Sequence, residues 1–271
     1  MDWKDKVVII TGAGSGIGLV LAEKLAGRHA ILILADINAG PVGAAAESIK
    51  KKNFYAKAAT LDVSDREAVK RLVDSTFSEF GRLDYIFNNA GIGVGGEARD
   101  FSYEDWKRVI DVNLYGVING VFAAYPIMVK QGFGHIVNTA SVAGVAPFPG
   151  ELSYTASKYG IVGLSHGLRA EGADLGVKVS VVCPGKIETP IFETTKIVGF
   201  DKKKALAMFP TGLAPEKCAE IIIRGVERNK ATIVVTTLAK ILWLLYRLSP
   251  SITLWLMTRY MGKMRTARIA D

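Results

Sequence analysis

The sequence predicts an α/β fold in which a doubly wound parallel sheet of about seven strands carries helices on both faces. Three observations support this prediction. Short apolar runs rich in β-branched residues alternate with longer segments of helical periodicity, a glycine-rich turn follows the first run, and no linker interrupts the alternation. Such alternation is typical of βαβ units, whose strands are parallel and buried on both faces.

The apolar runs predict seven strands, and the segments between them predict six helices. The strands are 7–10, 31–34, 55–61, 84–87, 135–138, 177–183 and 231–235. The helices are 16–28, 40–52, 65–80, 103–130, 152–175 and 215–229. We assign residues 1–236 to one domain, and residues 237–271 to an apolar, basic and helical C-terminal extension.

Composition places the chain among folded proteins of a reducing compartment. Its 271 residues are 49% hydrophobic and 22% charged, which suits one α/β domain. The N-terminus passes from a charged turn into a strand and offers no signal-like apolar core. Cys183 and Cys218 lack CxxC spacing, and the three histidines form no metal set. We therefore expect a cytoplasmic protein without disulfides or bound metal.

A glycine-rich turn joins the first strand to the first helix. Glycines let a backbone turn sharply and approach a pyrophosphate, whose charge is met by the free N–H groups at the positive end of the helix. The turn has the sequence TGAGSGIG, so we expect a nucleotide beside it. The predicted cofactor contacts are Thr11, Gly12, Ser15, Gly16, Ile17 and Gly18.

The second strand ends at Asp36, whose carboxylate can accept hydrogen bonds from both hydroxyls of an adenosine ribose. A 2′-phosphate would be repelled there, and neither Ser15 nor Ile37 supplies a compensating positive charge. NAD is therefore favoured over NADP, with Asp36 and Ile37 as contacts. The alternative role for Asp36, capping the next helix, fits Asn38 at least as well.

The stretch SYTASKYG places Tyr154 and Lys158 on one face of a predicted helix. An unperturbed tyrosine has a pKa of about 10, and a neighbouring ammonium lowers it toward the range useful to a general base. The pair is therefore a candidate for proton transfer. A surface helix that merely contains both residues is the alternative.

These motifs, with NNAG at 88–91 and Ser141 in the same order, resemble the short-chain dehydrogenase/reductase family over about residues 5–235. The resemblance implies a Rossmann-like fold and a NAD-dependent oxidoreductase that interconverts an alcohol and a carbonyl. It implies that Asn88 braces the sheet. The further cofactor contacts that it implies are Asp62, Val63, Asn89, Ala90, Gly91, Tyr154, Lys158, Pro184, Gly185 and Thr189.

The resemblance also implies four catalytic residues. Ser141 would hold the substrate oxygen, Tyr154 would exchange its proton, and Lys158 would lower the tyrosine pKa and hold the nicotinamide ribose. Asn113 would interrupt a helix and hold a water that leads to the lysine. Each also fits a structural role, such as a loop cap for Ser141. A catalytically silent nucleotide-binding scaffold, acting through a partner on the tail, is the rival function.

The segment 186–215 after the sixth strand is predicted to be the substrate loop. Its apolar side chains suit either a lid over a lipophilic substrate, of sterol, retinoid or fatty-chain type, or the packing of two short helices. These side chains are Ile191, Phe192, Ile197, Val198, Phe200, Met208 and Phe209. The lysine run 202–204 lacks interleaved aromatic residues, so no nucleic acid partner is expected.

The C-terminal extension carries most of the net charge of +8. Residues 237–271 contain six basic residues and one acidic residue, a net charge of +5. Lys240, Arg247 and Pro250 interrupt its apolar stretch, which argues against a bilayer span and predicts two helices broken near Ser249. Such a segment suits a peripheral membrane anchor, a dimer-forming arm or a cover over the substrate pocket. We expect a homodimer or homotetramer that acts on a small molecule.

Overall fold

Among residues 2–208 and 210–269, which the computed structural model describes, seven strands form one parallel sheet. Elements are numbered in chain order. The strands are β1 (Val7–Thr11), β2 (Ile31–Asp36), β3 (Ala56–Thr60), β4 (Tyr85–Asn88), β6 (Gly134–Thr139), β7 (Val177–Cys183) and β9 (Thr232–Val234). Their order in the sheet is β3-β2-β1-β4-β6-β7-β9, and each pairing is parallel. The doubly wound sheet predicted from the sequence is confirmed.

Helices cover both faces of this sheet. They are α1 (Gly16–Ala26), α2 (Ala39–Lys51), α3 (Arg66–Phe80), α4 (Tyr103–Ile110), α5 (Gly116–Gln131), α6 (Leu152–Gly172) and α9 (Pro215–Glu227). One core cluster joins the sheet to α1, α2 and α9, and a second joins it to α3, α5 and α6. Each strand and helix lies within a few residues of its predicted position.

Strand β1 shows why the predicted runs are continuously apolar. Val8 and Ile10 contribute to the cluster beneath α1 and α2, whereas Val7 and Ile9 contribute to the opposite cluster. All four side chains are buried. Because successive side chains point to opposite faces and both faces are covered, all four positions 7–10 are apolar.

The predicted helix 103–130 is interrupted by a π-turn. Helices α4 and α5 are joined by a π-helical turn, Asp111–Tyr115, which contains Asn113. The whole stretch Tyr103–Gln131 is long and apolar enough to cross a membrane by length and composition alone. In this fold, however, α5 supplies buried side chains to the core cluster shared with α3 and α6.

The predicted substrate loop contains short elements beside the main sheet. They are α7 (Ile191–Thr194), β8 (Lys196–Ile197) and α8 (Lys202–Ala207). Strand β8 pairs in parallel with β5 (Val94–Gly95), which follows β4. The two short helices that the sequence offered as one interpretation are therefore present. Phe209 lies outside the described residues.

The C-terminal extension forms two helices, α10 (Thr237–Leu248) and α11 (Pro250–Met264), broken at Ser249 as predicted. The Thr236 hydroxyl caps α10 by accepting a hydrogen bond from the Ala239 N–H at 3.2 Å. Proline at the first position of α11 fits there because the first N–H groups of a helix have no partner within the helix. The last residues, 270–271, lie outside the described residues.

Candidate active site

A cavity of about 1620 Å³ opens at the carboxyl ends of the strands, the edge at which ligands bind in doubly wound folds. Residues at or just beyond the ends of all seven strands of the main sheet line it. They are Gly12, Asp36, Leu61, Asn89, Thr139, Pro184 and Val235. The topology therefore brings together side chains that are far apart in the sequence.

Most of the predicted site residues line this cavity. The predicted residues that line it are Gly12, Ser15, Gly16, Ile17, Asp36, Ile37, Asp62, Val63, Asn89, Ala90, Gly91, Ser141, Tyr154, Lys158, Pro184, Gly185 and Thr189. Thr11, Gly18 and Asn113 do not line it. These three lie behind the wall and support it, as the contacts below show.

The glycine-rich turn needs its glycines for two different reasons. Gly12 and Gly16 have φ angles of +66° and +54°, a region that side chains with a Cβ rarely adopt. Gly18 has ordinary geometry, but a Cβ there would lie 2.2 Å from the Gly12 carbonyl oxygen. Gly18 therefore allows the first turn of α1 to pack against the glycine-rich turn, and in this way it maintains the shape of the cavity wall.

Thr11 joins this turn to the loop after β4. Its hydroxyl accepts hydrogen bonds from the backbone N–H groups of Asn89 at 2.9 Å and Ala90 at 3.1 Å. The Asn89 side-chain amide donates to the Thr11 carbonyl at 3.1 Å. Thr11 is buried, so it fixes the positions of Asn89 and Ala90 while these residues line the cavity.

Asn88 joins neighbouring strands of the sheet. Its side-chain amide donates to the Asn138 side-chain oxygen across β4 and β6 at 2.9 Å, and Asn138 in turn donates to the Ser165 hydroxyl at 3.0 Å. Gly120 of α5 packs so closely that a Cβ there would lie 2.0 Å from the Asn88 side-chain oxygen. This network agrees with the bracing role that the resemblance implied.

Asp36 faces the glycine-rich turn. One carboxylate oxygen accepts from the Gly14 N–H and the other from the Asn38 N–H, both at 2.9 Å. Asn38, rather than Asp36, is the N-cap residue of α2. Because each carboxylate oxygen has lone pairs beyond these bonds, Asp36 can still accept hydrogen bonds from a ribose. Neighbouring Ile37 is exposed and lines the cavity with an uncharged side chain.

Helix α6 presents Tyr154 and Lys158 to the same cavity. The Lys158 Nζ lies 5.3 Å from the centroid of the Tyr154 ring and donates a hydrogen bond to the Thr139 carbonyl at 2.9 Å. Lys158 is only 3% exposed. Ser141 caps a short 3₁₀ turn, where its hydroxyl accepts from the Ala143 N–H at 3.2 Å. The alternative of a surface helix that merely contains both residues does not fit, because both side chains line the cavity and Lys158 is buried.

The prediction that the pKa of Tyr154 lies below its usual value is wrong for this structure. Burial raises the pKa of Tyr154 well above its usual value, although the hydrogen bond with Ser141 acts in the opposite direction. Burial also lowers the pKa of Lys158 to about 8. Burial is the largest cause of both shifts, since removal from water disfavours the charged form of each group.

Asn113 supports the site from the π-turn. Its side-chain oxygen accepts from the Ile92 N–H at 2.8 Å, and its amide donates to the Ile92 carbonyl at 3.0 Å and the Ser157 hydroxyl at 3.2 Å. Asn113 is fully buried, so it does not face solvent as an ordinary polar residue on a helix surface would. These bonds connect the loop after β4 to α6, between Tyr154 and Lys158.

The C-terminal extension supplies one wall of the cavity. A cover over the substrate pocket was one of the three roles that the sequence allowed for this segment. Side chains of α10 and α11 line the cavity beside Phe200 and Leu206 of the substrate loop. Those of the extension are Thr237, Leu238, Ala239, Lys240, Leu242, Met257, Tyr260, Met261 and Met264. The mainly apolar character of this set was visible in the sequence, but no motif indicated which side chains face inward.

Ion pairs fasten the end of this wall to the segment after β5. The Arg265 Nε lies 2.8 Å from the Glu97 carboxylate, and the Arg268 guanidinium binds both oxygens of Asp100 at 2.7 and 3.0 Å. The arginines hold the pKa values of Glu97 and Asp100 below their usual range. Backbone hydrogen bonds from Asp201 to the Ala267 carbonyl at 2.9 Å, and from Ile269 to the Gly199 carbonyl at 3.1 Å, complete the attachment.

The family model for short chain dehydrogenases matches residues 6–197 of this chain. The chain belongs to the short-chain dehydrogenase/reductase family. It is therefore an oxidoreductase with the fold and the motifs that the sequence indicated.

Relatives of this dehydrogenase/reductase cover nearly its whole length. The protein SadH of Mycobacterium tuberculosis is 36% identical over 256 residues, which are 92% of this chain and 93% of SadH. The cyclohexanol dehydrogenase of an Acinetobacter species is 35% identical over 81% of this chain and 87% of that protein. A Burkholderia phymatum family member, crystallised in complex with NAD, superposes with a TM-score of 0.86 at 30% identity, covering 93% of this chain and 96% of that one.

Proposed function

We propose that this oxidoreductase uses NAD to interconvert an alcohol and a carbonyl on a lipophilic substrate. The observation that carries the proposal is the convergence of Ser141, Tyr154 and Lys158 in one cavity whose other end holds Asp36 and the glycine-rich turn. The remaining wall is mainly apolar, with phenylalanine and methionine side chains from the substrate loop and α11. Sterols, retinoids and fatty-chain alcohols or ketones are the proposed substrate classes.

The residues present fit the proposed cofactor. Two glycines with positive φ leave room beside the N-terminus of α1 for a pyrophosphate, and the Asp36 carboxylate suits the ribose hydroxyls. Pro184, Gly185 and Thr189 line the cavity where the nicotinamide end is proposed to bind. When bound, NAD supplies the group that accepts or donates a hydride.

The chain itself supplies proton transfer and orientation. In this proposal, the Ser141 hydroxyl holds the substrate oxygen by a hydrogen bond, and the Tyr154 hydroxyl takes the alcohol proton or returns it to the carbonyl. The Lys158 ammonium favours the phenolate that forms on Tyr154 and donates to hydroxyls of the nicotinamide ribose. Asn113 positions the adjoining backbone and serves the proposed water path to Lys158.

The experiment is a spectrophotometric assay of NADH formation from NAD with a panel of secondary alcohols, sterols and retinoids. Tyr154→Phe should abolish turnover while NAD binding, measured by calorimetry, stays nearly unchanged. Tyr159→Phe is the matched control, because this tyrosine lies on the same helix but outside the cavity lining. Normal turnover by Tyr154→Phe would refute the assignment.

The rival function is a nucleotide-binding scaffold that acts through a partner on the tail. We favour the enzyme because a scaffold does not require Asn113, Ser141, Tyr154 and Lys158 together around one cavity. Absence of NADH formation across the whole panel, with NAD binding intact, would favour the scaffold.

We further propose that the outer face of α10 and α11 rests on an anionic membrane surface on the cytoplasmic side. Ile241, Leu244 and Leu248 are exposed at helical spacing, with Leu248 75% exposed, and Trp255 of α11 is 53% exposed beneath the Arg259 guanidinium. Residues 237–269 contain no acidic residue. A symmetric dimer through this face would set its cations against one another, whereas anionic headgroups attract them at about 1 kcal/mol each.

Co-sedimentation with vesicles tests this surface. The protein should sediment with phosphatidylserine-containing vesicles at low salt and much less with pure phosphatidylcholine vesicles. Trp255→Ser should weaken the interaction, whereas Tyr103→Ser, an exposed aromatic residue on α4, should not. Failure to bind either vesicle at low salt would refute the membrane proposal. Light scattering of the same variants tests the proposed homodimer or homotetramer, and dissociation of Trp255→Ser would assign the face to a second subunit.

A further inference from the structure

Glu151 occupies an unusual position at the start of α6. It is the N-cap residue of the helix, one turn before Tyr154, and it lines the cavity. Its backbone is well fixed, because its carbonyl accepts from the Thr155 N–H at 2.7 Å and the carbonyl of Gly150 accepts from the Gly96 N–H at 2.8 Å. The wall is close on the other side too, since a Cβ on Gly150 would lie 3.9 Å from the sulfur of Met261 in α11.

The Glu151 carboxyl has no partner among residues 2–208 and 210–269. It makes no capping hydrogen bond to the helix that it begins, and no cation influences its pKa, which burial alone raises to about 7. Its charge raises the pKa values of Tyr154 and Tyr260, so the carboxyl lies close to the reacting tyrosine and to the inner side of α11. Phe148 and Pro149, just before it, also line the cavity.

Unlike Glu151, neighbouring acidic side chains form ion pairs. Three carboxylates in the segment after β5 each have a basic partner within 3 Å. The pairs are Glu97 with Arg265, Asp100 with Arg268 and Asp105 with Lys196. A carboxyl in an apolar wall without such a partner destabilises the fold, and an apolar side chain would suit the position better. Groups that break this rule in a cavity are typical of functional sites.

We propose that Glu151 is a specificity residue that accepts a hydrogen bond from a hydroxyl group of the lipophilic substrate, close to the reacting carbon. This inference rests on the proposed function. Side chains three positions apart on a helix are separated by about 5 to 6 Å at Cβ, so the recognised hydroxyl belongs near the carbon that Tyr154 serves. The favoured substrates are therefore lipophilic diols and hydroxyketones.

A hydroxyl group suits this carboxyl better than a charged group does. A hydroxyl can donate to the carboxylate and can also pair with the protonated acid, so it is recognised in either state. A substrate ammonium would lose its hydration against an otherwise apolar wall, and a substrate carboxylate would be repelled. The same residue therefore selects against acidic substrates.

The test compares cyclohexanol with the 1,2-, 1,3- and 1,4-cyclohexanediols as probes of wild type, Glu151→Gln and Glu151→Leu. At least one diol should exceed cyclohexanol in kcat/KM by roughly tenfold or more, as expected for a hydrogen bond to a charged group. Glu151→Leu should remove this preference, measured as the ratio of kcat/KM for the diol to kcat/KM for cyclohexanol, and Glu151→Gln should retain part of it. Glu171→Gln, an exposed residue on the same helix, is the control.

Calorimetric binding of the same probes to Tyr154→Phe separates this inference from the proposed function. If no variant oxidises any probe, the proposed function fails. Tighter binding of a diol than of cyclohexanol, lost when Glu151→Leu is added, would still support Glu151 as the residue that binds the substrate hydroxyl. Equal binding of the diols and cyclohexanol, or a preference that survives Glu151→Leu, would overturn it. Should Glu151→Leu fail to fold, Glu151→Gln decides, because its preference for the diol should be smaller than that of wild type and an unchanged preference would overturn the inference.

Discussion

Replacement of Glu151 by glutamine is expected to raise the free energy of unfolding more at pH 8.5 than at pH 5. Burial raises the pKa of this carboxyl from its usual 4.5 to about 7, so the native state holds the proton more tightly than the unfolded chain does. The native protein therefore loses stability as pH rises from about 4.5 to about 7, and the loss persists above that range. Glutamine carries no charge at either pH and avoids this loss.

The magnitude follows from the size of the shift. A change of about 2.5 pKa units corresponds to roughly 3.4 kcal/mol at most. Because Glu151 is partly accessible through the cavity that it lines, we discount this limit for solvent screening. The variant should gain about 1 to 2 kcal/mol more at pH 8.5 than at pH 5, or about 2 to 4 °C per kcal/mol in melting temperature.

Urea unfolding followed by circular dichroism at the two pH values measures this difference. Every other titrating group is shared by the two proteins, so its contribution cancels when the variant is compared with wild type at each pH. Glu171→Gln, exposed near the other end of α6, is the matched control for replacing a glutamate of this helix by glutamine. A gain of the same size at pH 5 and pH 8.5 would show that the native pKa of the carboxyl is not raised, and a loss at pH 8.5 would show that the carboxylate has a stabilising partner. Either result would refute the reasoning.

Three further predictions concern the cofactor turn, the choice of cofactor and the wall of the cavity. Gly18→Ala places a methyl group 2.2 Å from a backbone oxygen of the turn, so NAD binding measured by calorimetry should be lost, with a stability cost of about 1 to 3 kcal/mol. In the control Gly43→Ala, where no atom lies within 4 Å of the added methyl group, NAD binding should be normal. Asp36→Ala with Ile37→Arg should move the ratio of NADP to NAD turnover toward NADP by tenfold or more, and wild type that already prefers NADPH would contradict the role of Asp36. Arg268→Gln removes a bidentate ion pair that fastens the C-terminal wall, so KM for lipophilic substrates should rise several-fold while KM for cyclohexanol changes little. An equal rise in KM for lipophilic substrates and for cyclohexanol would show that the ion pair does not act through the C-terminal wall.

The sheet was predictable because its signals are local. Each strand carries its own apolar run, and each main helix its own periodicity, so β1 and α1 are visible in the letters VVII and in the glycines that follow. The short strands β5 and β8 were missed because two residues contain no periodicity. The π-turn at Asn113 was anticipated through the family resemblance alone, since helix periodicity barely changes across five residues.

The cavity lining was predictable where a motif fixes backbone geometry. The glycine-rich turn and the pair Tyr154 and Lys158 were expected from spacing, and the structure brings them into one cavity. The electrostatics were not predictable, because spacing gives the proximity of two groups and says nothing of how much water surrounds them. For Tyr154, burial outweighs the effects that lower its pKa, and only the assembled cavity determines that balance.

For Glu151 and the C-terminal extension, too, the sequence does not show which side chains from distant segments meet in the folded chain. In the sequence, Glu151 resembles Glu97, and it is set apart only because arginine and lysine side chains from distant segments reach the other acids. The extension likewise has one composition throughout, yet Met257 and Met261 line the cavity while Leu248 faces outward. We therefore propose that a single apolar and basic segment combines two roles that its sequence presented as alternatives. One face closes the cavity in which we propose that a lipophilic hydroxyl compound binds, and the other provides the surface by which we propose that the enzyme reaches the membrane holding such compounds.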